Sequence, residues 1–124
     1  MYNKNEIASY KTRLDDDKEC IYKYYVIETN KEMDVDGKKL SVSCYGIDVI
    51  SELYEKGKLC SSFEDSINYL TPFLGKVLKL IDYLKDNGVS PLHLIDIAGE
   101  YADEWVGDFD IEVYLERGEI SAAV

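Results

Sequence analysis

The chain has 124 residues, 46% of them hydrophobic and 12% aromatic, which suffices for one buried core and falls short of two ordinary domains. Its 25 acidic residues against 14 Lys and Arg leave a formal charge of -11, a field that repels phosphate backbones and anionic lipid and attracts basic surfaces. Neither nucleic acid nor a membrane is therefore expected as a partner; a basic protein surface would be attracted, although excess acid more often serves only solubility.

Cys20, Cys44 and Cys60 are odd in number and far apart, unlike the dense even spacing of a secreted disulfide scaffold. Reduced thiols and a cytoplasmic location are the expectation. No apolar run approaches the roughly 20 residues that span a bilayer, and no basic stretch followed by an apolar one marks the start.

Residues 1–19 are polar and end in Asp15-Asp16-Asp17-Lys18-Glu19, which predicts a flexible polar arm. The acidic triplet lacks the alternate ligand spacing, central Gly and closing Glu of a calcium loop. From Cys20, the run Ile21-Tyr22-Lys23-Tyr24-Tyr25-Val26-Ile27 is β-branched and aromatic and predicts a first strand. Asp36-Gly37 suits a tight hairpin turn, after which Lys38 onward returns as a second, antiparallel strand. There Leu40, Val42 and Cys44 share one parity whereas Tyr45, Ile47 and Val49 share the other, so a β-bulge beside Gly46 is expected to restore the facing. Lys56-Gly57 offers another turn, and Leu59, Phe63, Ile67 and Tyr69 suggest a third strand, although their four-residue steps would also suit a short helix.

Thr71-Pro72 reads as an N-cap and first helical position, followed by the stripe Phe73, Leu74, Val77, Leu78, Ile81 and Leu84, with Asn87-Gly88 as a left-handed stop. Ser90-Pro91 repeats the starting device, and Leu94, Ile97, Ala98, Tyr101 and Trp105 or Val106 form the stripe of a second helix ended by Gly107. Ile111, Val113 and Leu115 alternate with polar residues and suggest a short fourth strand or a flap. The expected architecture is α+β: a small antiparallel sheet of three to four strands with two C-terminal helices on one face. One domain over 20–116 would then be followed by a frayed tail over 117–124.

His93, Asp96 and Glu100 fall at i, i+3 and i+7 on the second helix and share a face, with Glu104 one turn further. Such a face can ligate a metal, but the di-iron bundles that use a Glu-x-x-His step need a second copy, and His93 is the only histidine. Cys20, Cys44, Cys60 and His93 have the ligand types of zinc without the close cysteine pairs that make zinc signatures specific. Nucleophilic catalysis would need His93 to meet one of the cysteines, which no spacing shows. Gly37, Gly46, Gly57 and Gly75 stand alone, so neither a phosphate loop nor a dinucleotide fingerprint is present and no cofactor is implied. Tyr22, Tyr24 and Tyr25 could offer ring faces to a partner, although core packing is the commoner fate of strand aromatics.

Tyr45-Gly46-Ile47 and Val89-Ser90-Pro91-Leu92-His93-Leu94-Ile95-Asp96 resemble stretches of a family of small uncharacterised cytosolic proteins of low-GC Gram-positive bacteria, grouped as a domain of unknown function. The resemblance covers roughly residues 20–108 and implies no activity, cofactor or catalytic residue. The leading expectation is thus a non-catalytic protein-binding or regulatory module, rather than an enzyme. Its contact surface would be Ser90, Pro91, His93, Asp96, Glu100 and Glu104, facing a basic protein surface. The alternatives are a small metal-dependent hydrolase with His93, Asp96 and Glu100 as ligands, and an acidic inhibitor that imitates nucleic-acid charge. A homo-oligomer is compatible with all three.

Overall fold

Two tight turns organise the sheet. Asp36 and Gly37 (φ 52° and 78°) and Lys56 and Gly57 (φ 52° and 77°) both adopt the left-handed pair that matches the twist of flanking antiparallel strands. The computed structural model describes residues 2–116, and in it these turns join three of four strands. In chain order the elements are β1 (Asn3–Arg13), β2 (Lys18–Val35), β3 (Lys38–Glu55), β4 (Lys58–Thr71), α1 (Leu74–Asp86), α2 (Pro91–Glu104) and α3 (Asp108–Glu116). The sheet is antiparallel with order β1-β2-β3-β4, and the fold is α+β as expected.

The arm expected over residues 1–19 is corrected. Residues 3–13 form β1, paired with β2 from Asn3↔Glu28 to Arg13↔Glu19. On the side facing the helices, Ala8 packs against the core and Tyr10 stacks on Tyr22 with ring centroids 6.0 Å apart. The rest of β1 is held by main-chain pairing and by Lys4, Lys11 and Arg13 ion pairs, which an apolar count does not register. Asp15 closes the β1–β2 turn, its Oδ1 accepting from the amides of Asp17 and Lys18 at 2.9 Å each. The tail over 117–124 lies outside the described residues.

The apolar slip in β3 has a different cause from the one expected. Pairing with β2 runs unbroken from Lys18↔Glu55 to Val35↔Lys38, so residues of opposite parity stay on opposite faces. Ile47 and Val49, with Tyr24 and Val26, join the core beneath α1 and α2, alongside Leu70, Val77, Ile81, Leu84, Leu94 and Ala98. Val42, Cys44 and Ile27 are equally buried on the other face. There α3 brings Phe109 and Val113, both buried, and the Phe109 ring lies 4.3 Å from the Nζ of Lys31, the residue paired with Val42. A shift at Gly46 does exist, but on the β4 side, where Ile47↔Ile67 jumps to Tyr45↔Thr71. The carbonyls of Ile67 and Asn68 cross Gly46 so closely that no Cβ fits there.

Two further expectations are corrected. The start of α1 lies beyond Thr71: Phe73 is the N-cap, and Thr71 instead ends β4 with its hydroxyl accepting from the Phe73 amide at 3.2 Å. Residues 108–116 form a helix and not a strand, because Asp108 and Asp110 favour a helix N-terminus and Phe109 and Val113, one turn apart, are its buried pair. Five residues of alternation are too few to separate the two periods.

Candidate functional site

Helix α2 begins where the sequence places it. Ser90 is the extended N-cap (φ -80°, ψ 164°), Pro91 is the first helical residue, and the His93 amide donates to the Ser90 carbonyl at 3.1 Å. Tyr24, fully buried, donates from its hydroxyl to the Val89 carbonyl at 2.7 Å and pins this start onto the sheet. Pro91, Leu94 and Ala98 form the buried side of the helix.

The opposite arc exposes Leu92, His93, Asp96, Glu100, Asp103 and Glu104. Of the six residues expected at a contact surface, His93, Asp96, Glu100 and Glu104 therefore share the outer arc, while Pro91 belongs to the core side and Ser90 is half-buried. Leu92 is 70% exposed in the first turn of this arc and Ile95 is 45% exposed at its edge, two apolar side chains to which the sequence reading assigns no role. Among the described residues none of Asp96, Glu100, Asp103 and Glu104 has an ion pair. The helix itself contains neither Lys nor Arg.

Among the described residues no three His, Cys, Asp or Glu side chains converge as metal ligands would. His93, Asp96 and Glu100 share an arc without closing on a common point. The three cysteines sit on separate strands, Cys20 half-buried on β2, Cys44 buried on β3 and Cys60 exposed on β4. Burial pushes the Cys44 thiol up to about 11, which suits a small packing group and not a nucleophile.

Sequence reasoning missed two charged clusters. On the sheet face opposite α1 and α2, Lys4 of β1 reaches across Tyr25 of β2, with its Nζ 4.5 Å from the ring centroid, to Asp48 of β3 at 2.5 Å and Glu64 of β4 at 3.0 Å. Asp48 is 2% exposed. Burial, reinforced by the Glu64 carboxyl and opposed by Lys4, pushes Asp48 up to about 6, while bonds to Asp48 and Lys4 hold Glu64 below its ordinary value. Burial alone would lower Lys4, but its bonds to both carboxyls hold it above its usual value. The second cluster latches α3: Asp108 accepts from the Thr71 hydroxyl at 2.7 Å and from Lys76 Nζ at 2.8 and 3.0 Å. No local spacing signals either, since the partners are 60 residues apart for Lys4 and Glu64 and 37 for Thr71 and Asp108.

The chain matches the family of unknown function DUF6514 over residues 3–104 and belongs to it. The match takes in β1, which the resemblance seen in the sequence leaves outside, and ends at the last residue of α2. No curated protein and no solved structure matches. Among the described residues no helix is long and apolar enough to cross a membrane.

Proposed function

We propose that the chain is a non-catalytic binding module that engages a basic surface of another protein through the outer arc of α2. One observation carries this reading: Asp96, Glu100, Asp103 and Glu104 stand exposed without intrachain ion pairs among the described residues, and Leu92 and Ile95 are exposed among them. Like charges stacked at four-residue steps cost a helix a few tenths of a kcal/mol per pair, approximately, and nothing on α2 offsets that cost. A partner supplying Lys or Arg around an apolar patch would relieve the repulsion and bury Leu92, the usual division between charged rim and apolar centre.

The test is purification of the native protein at low salt with identification of what co-elutes, followed by reconstitution from the two purified chains. The reading expects one stoichiometric partner, bound more weakly as salt rises and lost on Glu100→Lys. Glu100 is exposed, so this substitution leaves the core untouched. A partner that ignores both salt and Glu100→Lys would refute the assigned surface.

A further inference from the structure

We propose that the groove between α1 and α2 binds a small aromatic monocarboxylate, at a surface separate from the acidic arc of α2. Lys76, Lys79 and Tyr83 fall at three- and four-residue steps along one side of α1, with Leu80 (3% exposed) between them as floor. Tyr101 and Trp105, one turn apart on α2, form the opposite wall, with ring centroids 5.2 Å apart and planes tilted by 49°. The groove is open to solvent and offers about 260 Å³, room for a single ring with a short polar arm.

The chemistry of the lining selects the ligand. Lys76, Lys79, Tyr83, Tyr101 and Trp105 border the Leu80 floor, and no acidic residue lines the groove. Asp108 holds Lys76 from one side, and Lys76 Nζ also lies 5.6 Å from the Trp105 ring centroid. Among the described residues Lys79 has no ion pair, and the hydroxyls of Tyr83 and Tyr101 have no hydrogen-bond partner. The two lysines of α1 favour an anionic group, and the aromatic side chains favour a flat apolar body beside it. The formal charge of -11 repels polyanions, so one negative charge is what this site accommodates inside an otherwise acidic molecule.

Trp105 is the only tryptophan, so its emission reports on the groove directly. The full chain is titrated with phenylpropionate, with phenylpropanol and phenylpropylamine as neutral and cationic counterparts of the same shape. The expected result is a saturable change with phenylpropionate, with a Kd on the order of millimolar for so small a probe. The alcohol, and phenylpropionate against Lys79→Glu, should bind about twofold to fivefold more weakly, the scale of one exposed charge pair. Lys79 is exposed and makes no core contact, so the variant keeps the fold. Amide chemical shifts locate the response, which is expected at Lys76–Tyr83 and Tyr101–Trp105. No saturation, equal binding of the alcohol or the amine, indifference to Lys79→Glu, or shifts centred elsewhere would each overturn the assignment.

Discussion

Replacing Asp108 by alanine removes the acceptor of two groups at once. The Thr71 hydroxyl, donating at 2.7 Å from a fully buried residue, is left with nothing to donate to, at a cost of about 1–3 kcal/mol. Lys76 loses its ion pair at 2.8 Å, but its side chain is 41% exposed and water takes over, so this loss adds no more than about 1 kcal/mol. The sum, about 1–4 kcal/mol, is a large share of the roughly 5–15 kcal/mol that holds a domain of this size together. Urea unfolding followed by Trp105 emission measures it, since Trp105 lies beside Lys76. Thr71→Val removes the same bond from the other end, so a double-mutant cycle should show a coupling of about 1–2 kcal/mol. Detachment of α3 alone would appear first as faster amide exchange over Phe109–Val113, at a free energy below that of global unfolding. A shift under about 0.5 kcal/mol for Asp108→Ala, or strict additivity with Thr71→Val, would refute the latch.

Two more outcomes follow from positions that the strands fix. Gly46→Ala sets a methyl against the Ile67 and Asn68 carbonyls, which are backbone and cannot step aside, so a loss of about 3 kcal/mol or more, or failure to fold, is expected in thermal and urea unfolding. Asp48 has its folded pKa raised to about 6 from an ordinary 3.8, so its contribution to stability is fully present below the lower value and is lost as pH rises through the upper one. Stability should therefore fall by on the order of 1–3 kcal/mol between roughly pH 4 and 7 in the native chain, and Asp48→Asn should flatten that slope. An unchanged slope in the variant would assign it to other groups.

Turn chemistry made much of this fold legible. Asp36-Gly37 adopts the expected left-handed pair, Lys56-Gly57 makes the expected turn in the same conformation, Gly88 is the left-handed stop after α1 (φ 58°), and Ser90-Pro91 opens α2. These signals are local: each asks for a backbone angle that few residues tolerate or for a missing N–H. Where the expectation failed, the deciding partner was remote. β1 is a strand because β2 offers it a ladder and Asp48 offers Lys4 a counter-charge, and neither fact is written in residues 3–13. Thr71 reads as a helix cap until Asp108, 37 positions later, claims its hydroxyl proton. The parity slip between Cys44 and Ile47 was visible, but one small core was assumed and the chain builds two, one on each face, so the slip needed no bulge between β2 and β3.

The same distinction governs the surfaces. The acids of α2 were legible because an i, i+3, i+7 face follows from helical geometry alone, and the structure adds what spacing cannot, namely that no intrachain ion pair offsets them among the described residues. The groove beside them was not legible, since its cations come from α1 and its aromatic wall from α2, two halves that acquire meaning only when the helices lie side by side. Helix α2 has neither Lys nor Arg and α1 contributes Lys76 and Lys79, so opposite charge preferences are separated by the width of one helix. That separation makes the two proposals independently testable. Glu100→Lys changes the outer arc without touching the groove lining, Lys79→Glu does the reverse, and a chain in which each variant affected only its own ligand would contain two sites and not one diffuse electrostatic surface.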